Sequence, residues 1–115
     1  MGSQIEVWKP IKGYEGFYEI SNFGRVKSHY RNHRRCDDPD GIRKIFDVHG
    51  TVCVVLHSKG RQFDVSVAHL VMQAFVYPEA PIREFPVVDH IDGDIWNNRL
   101  ENLRIHPSQI KFFAS

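Results

Sequence analysis

Cysteine is scarce in this chain: there are two among 115 residues, Cys36 and Cys53, and they form no Cys-x-x-Cys pair. That excludes a disulfide-stapled scaffold and argues against a structural zinc site. Long apolar runs are missing as well. The longest, such as Thr51–Leu56, fall far short of the roughly 20 residues that a membrane-spanning helix needs. The N-terminus carries no hydrophobic leader, so the expected location is intracellular, with no membrane partner. Neither sign of charge dominates. Fifteen Lys and Arg face 14 Asp and Glu, a net charge of +1, which taken alone speaks weakly against a nucleic-acid partner. There is no internal repeat and no low-complexity tract.

What is present is a globular composition, 42% hydrophobic and 25% charged, with length for about one domain or two small subdomains that share contacts. Tyr14, Phe17, Tyr18 and Ile20 suggest a strand, Asn22-Phe23-Gly24 a turn, and Val26 the start of a second strand. Tyr30 to Gly41 is polar and ends in Asp37-Asp38-Pro39-Asp40-Gly41, a strong turn signal, so it reads as a mobile loop. Three further strands are expected over 43–48, 52–57 and 62–67. The last two are joined through His57-Ser58-Lys59-Gly60-Arg61, and the three together imply a small antiparallel sheet. Cys53, in the middle strand, is expected to be a small core residue.

From Val67 to Val76 the apolar period lengthens. Leu70, Val71, Ala74 and Phe75 fall on one face, which predicts a short buried helix. Pro78, Pro81 and Pro86 then make 77–86 a connector. Val87 and Val88 form a brief strand ending at Asp89, Asp92-Gly93-Asp94 a loop, 98–103 a helical turn and Arg104-Ile105 a return strand. Pro107 followed by 108–113 predicts a last helix of about two turns.

The chemistry concentrates in VVDHIDGDIWNNRLENLR, 87–104. Asp89 and His90 stand together at the end of the short apolar run, and Asn102 follows His90 by 12 residues. Strand neighbours point to opposite faces, but at a strand end they can splay around one site. A carboxylate is a hard ligand suited to Mg²⁺ or Mn²⁺, and a neutral imidazole can take a proton from water near pH 7. Phosphodiester hydrolysis needs both functions. An Asn102 amide oxygen can hold the other ring nitrogen as a donor. Plainer readings exist for each piece. Asp-His is commonly a surface turn, Asn97-Asn98 plain turn chemistry, and Asn102 a helix cap. A calcium loop does not fit, because Gly93 separates Asp92 from Asp94 and no glutamate closes an EF-hand. The combination, more than any single residue, points to catalysis.

The basic residues are clustered despite the low net charge. Arg25, Lys27, Arg31, Arg34 and Arg35, with His29 and His33, run without an acid, and Lys59 and Arg61 flank a glycine in the expected hairpin. Such groups can neutralise phosphates, although an isolated run of this kind is more often a solvated loop.

At this point 87–104 resembles the active-site segment of the HNH nuclease superfamily, particularly its phage and intron homing endonucleases. WKPIKGYEGFYEISNFGRVKS, 8–28, resembles the DNA-binding module that commonly precedes that unit, and AHLVMQAF, 68–75, the helix that joins the two. The resemblance implies an α+β fold. A small antiparallel sheet module over 5–66 would precede a strand–strand–helix nuclease unit over 67–115, the ββα-metal or His-Me finger. It further implies Asp89 as metal ligand, His90 as general base and Asn102 as the residue that orients His90. One Mg²⁺ or Mn²⁺ would be the cofactor and DNA the partner, with cleavage leaving 5′-phosphate and 3′-hydroxyl ends. The location would be host cytoplasm for a phage gene.

Three departures stand out. The family's second metal ligand aligns with Lys111, whose ammonium has no lone pair for a metal. Gln109 or His106 would have to substitute, or Lys111 would contact phosphate, or activity would be weak or lost. The family's frequent histidine aligns with Ala68, while His69 is one position on, a rotation of about 100° on a helix, and is expected to be packed or at the surface. Relatives often continue with further DNA-binding elements, so reduced site recognition is expected. Three functions follow: a small metal-dependent endonuclease or nickase, a DNA-binding regulator on a decayed nuclease fold, or binding of a protein partner through the same surface.

Overall fold

Alternation of aromatic and branched residues builds the first sheet. In the computed structural model, which describes residues 5–29, 41–79 and 88–105, β1 (Trp8–Pro10), β2 (Tyr18–Ser21) and β3 (Val26–Ser28) form an antiparallel sheet in that order. Ile20 lies opposite Val26, and both, with Tyr18, are fully buried. Burial of each such side chain contributes roughly 1.5–3 kcal/mol. β1 has no counterpart in the sequence-based expectation, being three residues long and carrying a proline. Pro10 is accommodated because β1 is an edge strand, where a missing N–H leaves no ladder bond unmade.

The second sheet comprises β4 (Phe46–Val48), β5 (Thr51–Ser58) and β6 (Arg61–Ser66), also antiparallel. Val52, Val54 and Leu56 of β5 point into the core. At the β5–β6 turn Lys59 and Gly60 have φ of 51° and 78°, the paired left-handed conformation that suits the twist of a two-residue hairpin. β4 is shorter than expected: Ile42 bridges Lys27 and Arg43 N donates to Val26 O at 2.7 Å, so the start of the expected strand pairs with the first sheet.

Helix α1 (Val67–Phe75) starts at the Ser66 cap, whose Oγ accepts from His69 N at 3.4 Å. The expected apolar face is displaced. Val67, Ala68, Leu70, Val71 and Met72 are buried, whereas Ala74 and Phe75 are only partly so. The reason is that both sheets and the final hairpin surround the first two turns. That hairpin is β7 (Val88–His90) paired with β8 (Leu103–Ile105), the latter preceded by a 3-10 turn at Leu100–Asn102. Val88, Leu103 and Ile105 join the same core as Tyr18, Leu56 and Leu70.

The fold is thus α+β, as expected, and the described residues form three small antiparallel sheets around α1. Between the first two sheets, the Tyr18 hydroxyl accepts from His57 N at 3.1 Å. The loop expected over 30–41 lies, except for Gly41, outside the described residues, as does the expected helix over 108–113. No described helix is long and apolar enough to cross a membrane.

Candidate active site

β7 delivers Asp89 and His90 to the edge of the last hairpin. The antiparallel register sets Asp89 opposite Arg104 and His90 opposite Leu103. Consecutive strand residues face opposite ways, and the two side chains meet different partners. Asp89 Oδ2 lies 3.7 Å from Arg104 Nε. His90, with Val88, lines a cleft of about 420 Å³. The far wall of that cleft is formed by Thr51 at the start of β5 and by Ser66, Ala68 and His69 at the start of α1. His69 therefore faces the same space as His90, which its expected role as a packed or surface residue did not include.

The imidazole is held by Asn98, not by Asn102. His90 Nε2 is 2.7 Å from Asn98 Oδ1, and Asn98 Nδ2 donates to Ile95 O at 3.2 Å. With the amide NH₂ committed to a carbonyl, its oxygen must accept from the ring. In the neutral ring Nε2 then carries the proton and Nδ1 the lone pair. This corrects the orienting role expected of Asn102.

Asn102 instead organises the connection between the two strands. Its Oδ1 accepts from Asp92 N at 3.1 Å, and its Nδ2 donates to Asp92 Oδ1 at 2.9 Å and to Asn97 O at 2.8 Å. Asp92 also accepts from Asn97 Nδ2 and from Asp94 N, both at 2.8 Å. Donors from Asn97, Asp94 and Asn102, together with the nearby His90, hold the Asp92 carboxyl below its ordinary pKa. The distinction between Asn98 and Asn102 was not legible in the sequence. Both are asparagines in a turn-rich stretch, and only the path of residues 95–98 brings Asn98 back onto the ring.

The cation candidates divide. Arg25 and Lys27 border Trp8 on β1, with Lys27 Nζ 4.2 Å and the Arg25 guanidinium carbon 5.7 Å from its ring centroid. Arg25 also pairs with Glu6, and its hydrogen bonds are the leading reason that the Glu6 carboxyl is held below the usual range. Lys59 and Arg61 are exposed at the β5–β6 hairpin. Arg31, Arg34, Arg35 and Lys111, with His106 and Gln109, lie outside the described residues. Trp8 was missed because nothing in the local sequence pairs it with a strand 17 residues away; the sheet register does so.

The aspartates of the hairpin are Asp89 at its edge and Asp92 and Asp94 in the connection, where they accept from Asp94 N and Trp96 N. Among the described residues no three His, Cys, Asp or Glu side chains group as a metal cage.

Comparison with known proteins gives a consistent result. Residues 6–57 match the NUMOD4 motif and residues 66–111 match an HNH endonuclease family. DNA endonuclease I-HmuI of Bacillus phage SP01 is 35% identical over 99 residues, covering 84% of this chain and 50% of that protein. An uncharacterized HNH endonuclease of Acanthamoeba polyphaga mimivirus is 35% identical over 106 residues, covering 90% of this chain and 24% of its own length. A solved structure describing DNA binding and cleavage by the HNH homing endonuclease I-HmuI superposes with a TM-score of 0.70 at 33% identity, covering 93% of this chain and 56% of that one. The chain thus spans about half the length of one curated relative and about a quarter of the other.

Proposed function

The chain belongs to the HNH endonuclease family, and we propose that it hydrolyses phosphodiester bonds of DNA, as a nickase or weak endonuclease, with His90 as general base. The observation that carries this reading is the His90–Asn98 hydrogen bond at the cleft wall. A ring whose Nε2–H is spent on Asn98 presents one basic nitrogen, Nδ1. A positioned neutral imidazole of this kind contributes about 10²–10⁴-fold to proton transfer.

Nδ1 removes a proton from water as the water oxygen attacks phosphorus. The P–O3′ bond breaks, the departing 3′ oxygen takes a proton from solvent water, and the products carry 5′-phosphate and 3′-hydroxyl ends. Asp89 would hold one Mg²⁺ or Mn²⁺, which when bound neutralises charge on the phosphate and the departing oxygen. To do so Asp89 must leave Arg104 and turn from the other side of β7 toward the His90 cleft, and the guanidinium charge so released would be available to the DNA backbone. Arg25 and Lys27 beside Trp8, Lys59 and Arg61 at the hairpin, and the run Arg31, Arg34 and Arg35 would contact phosphates. Such contacts set position and affinity and do not read sequence.

Supercoiled plasmid incubated with Mg²⁺ or Mn²⁺ tests the reading. Relaxation is expected, with a loss of about 10²–10⁴-fold in His90→Ala. Equal relaxation by that variant would refute His90 as base. A second reading, DNA binding without cleavage, is favoured by Lys111 standing where the family supplies a second metal ligand. Its outcome is retained duplex binding with no relaxation, unchanged by His90→Ala.

A further inference from the structure

Asn98 is itself seated by the first sheet. The β2–β3 turn, Asn22-Phe23-Gly24, grips the three residues that begin with Asn98. Leu100 N donates to Asn22 O at 2.8 Å. The Arg99 guanidinium carbon stacks 3.9 Å from the centroid of the Phe23 ring. Gly24 packs directly on Asn98: a Cβ there would stand 2.8 Å from both Asn98 Cβ and Asn98 O. Those atoms belong to the backbone and to the root of the side chain, so they cannot swing aside as the tip of a long side chain would. The turn is also anchored from behind. Asn22 Oδ1 accepts from Val7 N at 2.8 Å, and its Nδ2 donates to Ile5 O at 3.2 Å.

We infer that Gly24 is a positioning residue for His90, acting through Asn98: the turn of the N-terminal module sets where the imidazole's partner sits. This rests on the reading of His90 as general base. The nuclease hairpin then does not complete its own site. The N-terminal module is part of the catalytic geometry as well as a binding element, and Arg25, the residue after Gly24, links the two roles.

Gly24→Ala forces Asn98 away and frees the His90 ring. Gly16 supplies a matched control. Its φ of +85° is nearly that of Gly24, +84°, but a Cβ at Gly16 meets nothing within 4 Å. Gly16→Ala therefore carries the same left-handed strain without touching Asn98. In the full chain with Mg²⁺ or Mn²⁺, Gly24→Ala is expected to lower kcat by on the order of 10–10²-fold with KM for DNA little changed. The ¹⁵N shifts of His90 Nδ1 and Nε2 should move toward those of a solvent-exposed imidazole. Gly16→Ala should leave kcat and both shifts at wild-type values.

Phe23→Leu, which removes the ring under Arg99, is the milder probe should Gly24→Ala not fold. A several-fold fall in kcat at constant KM, with the same direction of ¹⁵N shift, is expected. If His90→Ala abolishes cleavage while Gly24→Ala and Phe23→Leu keep wild-type kcat and His90 shifts, the positioning role is overturned and the general base stands. If His90→Ala cleaves normally, the general base is wrong, and the ¹⁵N shifts alone decide whether the turn sets the ring.

Discussion

The first sheet and the last hairpin are both built from strands of three or four residues, yet opposite means hold them. In β1–β3 the fixing groups are apolar, with Tyr18, Ile20 and Val26 fully buried. In the β7–β8 connection Ile91 is 59% and Trp96 49% exposed, and only Ile95 and Leu100 pack, partly buried, against the core. There Asp92, Asn97 and Asn102 fix the path through side-chain hydrogen bonds. Burial tolerates small shifts and ignores pH. Directional bonds place a chain closely but depend on every partner and on one carboxylate's charge. A site that must hold an imidazole to a fraction of an ångström is served by the second kind, and the first kind supplies the platform beneath it.

The largest effect should come from the platform. Tyr18→Ala removes a fully buried ring and is expected to lose about 3–5 kcal/mol of unfolding free energy, read from the denaturant midpoint. A loss below about 1 kcal/mol would mean that the first sheet does not anchor the core. Asn102→Ala should be smaller in total but confined to the hairpin. It removes three hydrogen bonds and strands the Asp92 amide, at about 1–3 kcal/mol. Amide exchange at Asp92 should quicken while that of Ile20 does not, and equal quickening at both sites would erase the contrast drawn here.

Acid gives a subtler separation. The folded pKa of Asp92 is lowered relative to its unfolded value. Its contribution is therefore fully present above the ordinary carboxylate range and is lost as pH falls through the depressed folded value. On acidification, the resonances of 91–102 should shift before those of β2 and β3. Simultaneous change would argue against a pH-sensitive hairpin on an insensitive platform. Smallest of all is Arg104→Ala. Its pair with Asp89 spans 3.7 Å, with side chains 59% and 29% exposed, so stability should change by about 0–1 kcal/mol and less in high salt.

Much of this division can be traced to the sequence. Tyr18, Ile20, Val26 and the β5 run alternate with period two, and the Lys59-Gly60 turn signals its hairpin, so the sheets and α1 lie close to where the residues predict them. Period alone could not say that the strands partition into three sheets. That depends on Ile42 pairing with Lys27 and on β1, whose three residues are too few to show a period. The site was legible as a segment but not as a network. Asp89 and His90 announce chemistry through residue type. The asparagines at 22, 97, 98 and 102 are alike in type, and the backbone path decides that Asn98 meets the ring. Gly24 reads as an ordinary turn glycine, and its contact with Asn98 arises only when residues 74 positions apart pack together.

The phenol of Tyr18 has one more consequence. Its ring fills volume, but its oxygen receives the amide of His57 from a different sheet, so it works as a dowel between two plates. Shaving off that single atom with phenylalanine would keep the volume filled and leave the join to the backbone ties of Ile42 to Lys27 and of Arg43 to Val26. If the proposed phosphate contacts hold, the spacing between the cations around Trp8 and those at the β5–β6 tip would lose one of its ties and the grip on a DNA backbone would loosen.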